Sequence, residues 1–229
     1  MTEEASDRRP IPARGSRVSI YVAKTLDGAG VTPNQISVFG FVAAFVAGLC
    51  LAATPLAGVG ARALFLLAAL LIVVRGLSNM FDGMVAVEHG KGTRVGALYN
   101  EVPDRFSDVA IFVGGGYAVG GVPELGLVAA LIAVLVAFVR IAARMAGARS
   151  DFGGVMAKQQ RMFLLAAAAA WLSVTPRSWQ PAFGPQDAFG LMSVVSAVII
   201  IGGVATIIGR LRRAARFLGA ESGSEEHAK

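Results

Sequence analysis

Long runs of apolar residues constrain this chain more than any other feature. Six segments reach, alone or with their flanking residues, the length that a helix needs to cross a bilayer. They are Gln35–Ala53, Ala61–Met80, Leu98–Val119, Leu125–Met145, Met162–Val174 and Phe189–Ile208. With 55% hydrophobic and only 16% charged residues, the composition excludes an ordinary soluble domain. The sequence therefore predicts an all-α integral membrane protein whose six transmembrane helices occupy residues 33–216.

The positive charges predict how these helices are oriented. Basic residues are concentrated before the first segment, between the second and third, between the fourth and fifth, and after the sixth. Because loops rich in lysine and arginine stay in the cytoplasm, both termini are predicted there, in a multi-pass protein of the cell (inner) membrane. Such loops face anionic lipids, which accounts for the net charge of +6 without nucleic-acid binding.

The polar ends of the chain are predicted to lie outside the bilayer. Residues 1–32 are expected to be a cytoplasmic tail and a juxtamembrane segment, and residues 217–229 a disordered cytoplasmic tail. Within the first of these, Ser16–Leu26 mixes basic and apolar side chains. It forms either a short amphipathic helix in the headgroup layer or a solvated linker.

Polar residues interrupt the apolar pattern at the cytoplasmic ends of the second and third helices. Carboxylates are costly inside a bilayer, so acids at such positions usually mark a substrate, ion or catalytic site. At about 100° per residue, one stripe of the second helix carries Arg75, Asn79 and Asp82. One arc of the third helix carries Asn100, Glu101, Asp104 and Asp108. The two stripes are expected to face each other across a short loop.

Carboxylate and amide oxygens that converge from two helices favour a hard divalent cation. Mg²⁺ or Mn²⁺ suits such donors better than zinc, for which the sequence offers no matching cluster of cysteine and histidine. A divalent cation near the membrane surface can hold a diphosphate, and glycines nearby let that group approach the backbone closely. These glycines are Gly83, Gly90, Gly92 and Gly96. The residues therefore favour diphosphate chemistry.

The same block resembles the signature of the CDP-alcohol phosphatidyltransferase family, D-x-x-D-G-x-x-A-R-(eight residues)-G-x-x-x-D-x-x-x-D. The matching residues are Asp82, Gly83, Ala86, Gly96 and Asp104. Three positions differ, because asparagine replaces aspartate at Asn79 and Asn100, and valine replaces arginine at Val87. The number of spans, the cytoplasmic termini and the Thr32-Pro33-Asn34 start of the first span also resemble this family.

The resemblance implies a function for most of these residues. Members use the signature to bind one or two divalent metals, which hold the diphosphate of a CDP-linked lipid donor, expected here to be CDP-diacylglycerol. Asp104 inherits the role of the base that deprotonates an alcohol acceptor, and CMP is released. The implied metal ligands are Asn79, Asp82, Asn100 and Asp104, and the implied nucleotide contacts are Gly83, Ala86, Thr93 and Gly96. A homodimer is also expected, partly because the third span is rich in glycine.

The asparagines remove two negative charges from the metal site. Glu101 and Asp108 either restore them as additional ligands, or serve as a surface acid and as the partner of a basic group, respectively. The cation missing at Val87 is supplied by Arg75 or by Arg94. Alternatively, Arg75 forms an ion pair that only holds two helices together, and Arg94 is one of the ordinary positive charges of a cytoplasmic loop. A phosphorylated acceptor would require a further basic cluster. Its candidates are Arg140, Arg144, Lys158 and Arg161, each of which also fits a topology signal or snorkelling.

Two other function classes are compatible with parts of this pattern. The altered signature positions also fit a catalytically weakened relative that binds nucleotide or lipid as a regulatory or structural membrane protein. A small transporter is disfavoured, because the acids crowd at one membrane face rather than at the bilayer midplane.

Overall fold

The computed structural model describes residues 12–88, 94–185 and 188–226, and most of these residues are helical. The described α-helices are α1 (Arg17–Gly28), α2 (Pro33–Ala53), α3 (Ala61–Glu88), α4 (Arg94–Tyr117), α5 (Pro123–Met145), α6 (Lys158–Val174) and α7 (Leu191–Glu226). Short 3₁₀ turns cover Pro12–Gly15, Thr54–Leu56, Gly58–Gly60 and Arg177–Trp179. A two-residue strand β1 (Ala182–Phe183) pairs antiparallel with β2 (Phe189–Gly190). The predicted all-α class is confirmed.

Helix α2 begins at the Thr32-Pro33-Asn34 segment because these residues satisfy its free backbone groups. The Thr32 hydroxyl accepts a hydrogen bond from the Gln35 backbone N–H, and the Gln35 side chain accepts one from the Thr32 N–H at 2.9 Å. Pro33 occupies the first helical turn, where its missing N–H costs nothing. This capping box fixes the point at which the chain enters the helix bundle.

Small residues bring α2 and α4 into close contact. A Cβ atom added at Gly48 would lie 2.3 Å from the Ala110 carbonyl oxygen, and one added at Gly114 would lie 2.2 Å from the Gly48 carbonyl oxygen. Such spacing allows two backbones to touch, a common mode of packing inside membranes. Helix α4 also packs against α5, while α3 packs against α2 and α6. The polar ends of α3 and α4 meet inside the bundle through the ion pair of Arg75 with Asp104.

Four segments of the described chain are long and apolar enough to cross a membrane. They are Pro33–Leu56, Gly58–Ala86, Pro123–Met145 and Leu191–Ala220. The fold is therefore that of a multi-pass membrane protein, but the prediction of six transmembrane helices is not confirmed. Helices α4 and α6 lie where the other two spans were expected. The first carries too many charged residues for such a segment, and the second has only 17 residues.

The two ends of the chain differ in how far helix extends. Ser16–Leu26, expected as either a helix or a linker, is helical within α1, and the Ser16 hydroxyl caps it by accepting from the Ser19 N–H at 3.1 Å. Buried Ala23 of α1 packs with Ile36 of α2 and Val85 of α3. At the other end, α7 continues to Glu226, well past residue 217, where the sequence predicts a disordered tail.

Candidate active site

A cavity of about 560 Å³ opens where the polar ends of α3 and α4 meet α5, α6 and α7. Carboxyl and amide groups come from α3 and α4, and basic side chains come from the surrounding elements. From these two helices, the acidic and amide residues that line it are Asn79, Asp82, Glu101 and Asp104, and Gln159 of α6 adds a further amide. The basic residues are Arg14, Arg75, Arg105, Arg140, Lys158, Arg161 and Arg210. The cavity therefore places oxygen ligands beside a strongly cationic wall.

Asp104 is the most heavily contacted carboxylate of the cavity. Its Oδ1 atom pairs with the Arg75 guanidinium, and its Oδ2 atom lies 2.5 Å from Lys158 Nζ. The Asn79 amide donates to both oxygens at 3.1 Å. The side chains of Arg75, Asp104 and Lys158 are only 5%, 12% and 11% exposed. Two buried cations therefore share one carboxylate, an arrangement that keeps Asp104 ionised.

Asp82 has one satisfied and one free carboxylate oxygen. The Ser37 hydroxyl of α2 donates to Asp82 Oδ2 at 2.8 Å. The other oxygen, Oδ1, is buried and has no hydrogen-bond partner in the described part of the chain. A buried carboxylate oxygen without a donor is costly, so this atom is a strong candidate to meet a ligand.

The free oxygen of Asp82 fits a divalent cation. Carboxylate oxygens are the donors that Mg²⁺ and Mn²⁺ prefer. Both oxygens of Asp104, in contrast, are already contacted by donors. Across residues 12–88, 94–185 and 188–226, no three acidic, histidine or cysteine side chains form a cluster that could hold a metal. The donors present therefore fit a cation held chiefly at Asp82, with fewer carboxylates than the full family signature provides.

Glu101 and Asp108, expected as additional ligands or as partners of basic groups, are both ion-paired. Glu101 Oε1 lies 2.7 Å from Arg140 Nη2 and 2.9 Å from Arg105 Nη2. Asp108 lies one turn deeper in α4 than Asp104, and its Oδ2 atom is 3.4 Å from Arg161 Nη2. Glu101 lines the cavity and Asp108 does not. The geometry favours the ion-pairing interpretation of both residues.

Three of the four residues expected to cradle a phosphate line the cavity. Arg140 of α5 stacks on Phe152, with Cζ 5.0 Å from the ring centroid, and Arg161 of α6 donates to the Met156 carbonyl at 2.9 Å. Lys158 is the third. Arg144 instead lies exposed in the last turn of α5 and is not part of the lining. Helix α5 therefore contributes one arginine to the cavity lining, Arg140, rather than the two that the sequence predicts.

Comparison with known proteins places this architecture in a family. Residues 30–211 match the profile of the CDP-alcohol phosphatidyltransferases. The chain belongs to this family. It is 29% identical to the phosphatidylinositol phosphate synthase of Mycobacteroides abscessus over 160 residues, which cover 67% of this chain and 69% of that protein. The predicted family and activity class, phosphatidyl transfer from a CDP-alcohol in phospholipid synthesis, are therefore confirmed.

Solved structures share the fold of this transferase. The Mycobacterium tuberculosis phosphatidylinositol phosphate synthase with CDP-DAG bound has a TM-score of 0.67 at 23% identity, covering 87% of this chain and 94% of that one. The same synthase in complex with manganese and citrate has a TM-score of 0.66 at 24% identity, covering 84% and 87%. The likeness extends over nearly the whole chain, so the helix arrangement described above is that of the synthases.

Part of the signature of this transferase falls outside the described residues. Thr93 lies there, and so do the side chains of Val87, Arg94 and Asn100; Gly96 belongs to the same stretch. Of the remaining signature residues, Asn79, Asp82, Gly83 and Asp104 line the cavity, and Ala86 does not.

Three arginines of the transferase cavity were not among the predicted site residues. Arg105 directly follows Asp104 and could have been found by extending the signature by one residue. Arg210 of α7 donates to the carbonyls of Val136 at 2.7 Å and Gly153 at 3.0 Å. Arg210 and Arg14 both contribute to the positive-inside pattern. Because topology alone explained their charges, the sequence offered no reason to place them in the site. Only the packing of distant segments shows that they reach the cavity.

Proposed function

We propose that this transferase moves the phosphatidyl group of CDP-diacylglycerol to a hydroxyl of a phosphorylated polyol, with inositol phosphate as the leading acceptor, and releases CMP. The observation that carries the proposal is that one cavity is lined both by carboxylates, at Asp82 and Asp104, and by basic side chains, at Arg140, Lys158 and Arg161. The first suits a metal-bound diphosphate, and the second suits the phosphate of an anionic acceptor. The related synthases support the same acceptor.

The proposed reaction forms one phosphorus–oxygen bond and breaks another. The acceptor hydroxyl oxygen attacks the phosphorus atom that carries the diacylglycerol group, and the bond from that phosphorus to the bridging oxygen of CMP breaks. Asp104 takes the proton of the hydroxyl, while CMP leaves with the bonding electrons. Arg75 and Lys158 keep Asp104 in the ionised form that a base requires.

A divalent cation, Mg²⁺ or Mn²⁺, completes the proposed site. Asp82 would hold it through the free Oδ1 atom, together with the side-chain amide oxygens of Asn79 and Asn100. When bound, the cation would neutralise charge on the diphosphate and on the departing CMP. Gly83 and Thr93, with Gly96, remain the proposed contacts of the nucleotide. Glu101 and Asp108 are proposed to orient basic residues rather than to bind metal.

We propose that the chain crosses the cell (inner) membrane six times and has both termini in the cytoplasm. The proposed assembly is a homodimer. Helix α4 can be one of the six transmembrane helices despite its charged residues, because these pair with residues of α3, α5 and α6 rather than facing lipid. Labelling of single cysteines in a Cys50→Ala background tests the arrangement. Cysteines near residues 57 and 120 should react only with reagents outside the cell, and crosslinking in membranes tests the dimer.

The deciding experiment is CMP release by the purified full chain in lipid or detergent. The reaction contains CDP-diacylglycerol, Mn²⁺ or Mg²⁺, and one of inositol phosphate, inositol, glycerol phosphate or serine. The proposal expects metal-dependent release that is fastest with inositol phosphate and lost in Asp104→Asn. Glu124→Gln is the matched control, because Glu124 is an exposed acid at the far end of α5. Release with none of these acceptors would favour the catalytically weakened relative instead.

A further inference from the structure

The short turn before α1 brings an arginine into the active-site cavity. Arg14 lies in the 3₁₀ turn Pro12–Gly15, and its side chain lines the cavity. A Cβ atom added at Gly83 would lie 3.2 Å from Arg14 Nη2 and 3.9 Å from Arg14 Cζ. The guanidinium of Arg14 therefore lies directly against Gly83, the residue that follows Asp82 in α3.

The position of this turn is fixed by the packing of α1. Ser16 caps the helix, and Ala23, which is fully buried, docks α1 against Ile36 of α2 and Val85 of α3. Val85 belongs to the same end of α3 as Gly83. The fold thus anchors the segment that follows Arg14 to the helix on which its guanidinium rests, which limits the conformational freedom that a bound ligand would have to remove.

The sequence offered Arg75 and Arg94 for this position, and other basic residues line the same cavity. Arg75 and Lys158 pair with Asp104, on α4. Arg140 pairs with Glu101, also on α4. Arg94 has a side chain outside the described residues. Among the cations with a described position, Arg14 is the one that lies against Gly83.

The sequence of α3 explains why a cation is needed at this place. Val87 replaces the arginine of the family signature, and it follows Gly83 by one helical turn. Residues four apart lie on the same helix face, so Arg14 and the missing arginine would act beside the same stripe of α3. The absence of a side chain at Gly83 leaves room for the Arg14 guanidinium to lie against α3.

We propose that Arg14 binds the diphosphate of the CDP-linked donor and thereby replaces, from the N-terminal turn, the cation that α3 lacks at Val87. This inference rests on the proposed function. A guanidinium presents several N–H donors in one plane, which matches the oxygens of a phosphate group and makes the contact specific for arginine. The turn Pro12–Gly15 then forms one wall of the nucleotide side of the cavity.

The test compares Arg14→Gln, Arg14→Lys and Arg17→Gln in the purified full chain. Arg17 is the matched control, because it has the same charge, lies three residues away and is exposed. One measurement is the affinity for CDP in the presence of Mn²⁺, and the other is the KM for CDP-diacylglycerol. Arg14→Gln should weaken both by about tenfold, as expected for one charge-assisted hydrogen bond, with a smaller change in kcat. Arg14→Lys should recover part of the loss, and Arg17→Gln should behave as wild type.

The two measurements separate this inference from the proposed function. Turnover with unchanged CDP affinity and KM in Arg14→Gln would overturn the inference and leave the function standing. If the wild-type protein shows no turnover but binds CDP more tightly than Arg14→Gln does, the inference is supported and the proposed function is overturned. A wild-type protein that binds no CDP would overturn both, and equal losses in Arg14→Gln and Arg17→Gln would show only a general charge effect and overturn the specific role of Arg14.

Discussion

Arg75 of α3 and Asp104 of α4 form an ion pair inside the helix bundle, where their side chains are 5% and 12% exposed. The pair is not isolated, because Lys158 of α6 contacts the same carboxylate. Asp104 therefore joins three helices through charge. Buried cations are tolerated only when a partner neutralises them, so the stability of this part of the bundle depends on one acid.

Asp104→Asn should destabilise the protein more than Arg75→Gln does. The first variant leaves two buried cations without a counter-charge, and about 3–5 kcal/mol is typical for breaking a buried pair by removing one partner. The second leaves Asp104 paired with Lys158. Thermal unfolding of the purified variants in one detergent checks the order, with Arg177→Gln as a control, because Arg177 is an exposed residue.

Removing one of the two unpaired cations should restore part of the stability that the Asp104→Asn variant loses. In Asp104→Asn combined with Lys158→Met, one of the two unpaired charges is gone, so the double variant should unfold at a higher temperature than Asp104→Asn alone. The same unfolding assay measures this. A double variant that is less stable by the full sum of the two single losses would show that Lys158 and Asp104 do not interact in the folded protein.

The sequence predicted most of the helices because apolar length and helical phase act locally. Ala61–Met80 and Leu125–Met145 fall within α3 and α5. Helical phase also anticipated that Asn79, Asp82 and Asp104 would be neighbours, and the structure brings them to one cavity. Such information suffices when the partners lie on two consecutive helices that are close in sequence.

The partners of the site residues could not be predicted in this way. Lys158 is 54 residues from Asp104, and the contact depends on how α6 packs against α3 and α4. Arg14 and Arg210 satisfy the positive-inside rule equally well wherever their side chains point, so charge counting assigned them no further role. Long-range packing, not local pattern, decides which loop charges become site residues.

Close packing at the α2–α4 contact predicts a sensitivity to single methyl groups. Gly114→Ala should destabilise the protein by about 1–3 kcal/mol or more, because the new Cβ would meet the Gly48 carbonyl oxygen at 2.2 Å. Gly219→Ala is the matched control, since Gly219 lies in helix α7 and a Cβ there meets nothing within 4 Å. The control should be neutral or slightly stabilising. Equal unfolding temperatures for both variants would contradict the close approach of α2 and α4.

Metal binding should depend on Asp82 more than on Glu101. Asp82→Asn removes the charge from the carboxylate whose Oδ1 atom is free, so affinity for Mn²⁺ should fall at least about tenfold. Glu101→Gln removes an acid already held by Arg105 and Arg140 and should leave Mn²⁺ affinity nearly unchanged. Electron paramagnetic resonance of free Mn²⁺, titrated with the purified protein, measures both without turnover. Wild-type affinity in Asp82→Asn would exclude the proposed cation position.

Asn79→Asp, which restores one aspartate of the family signature, should make the stability of the protein depend on metal. The Asn79 amide donates to both oxygens of Asp104 at 3.1 Å, so a carboxylate in its place would face Asp104 with like charge. In a chelator, the variant should therefore unfold at a lower temperature than wild type. Saturating Mn²⁺ should raise that temperature more in the variant than in wild type, because the new carboxylate adds a charged ligand to the cation held at Asp82, and the bound cation offsets the repulsion. Unfolding scans with chelator and with Mn²⁺ provide the comparison, and Asn34→Asp, at the exposed start of α2, provides the control. An identical response of Asn79→Asp and wild type to Mn²⁺ would place the cation away from residue 79.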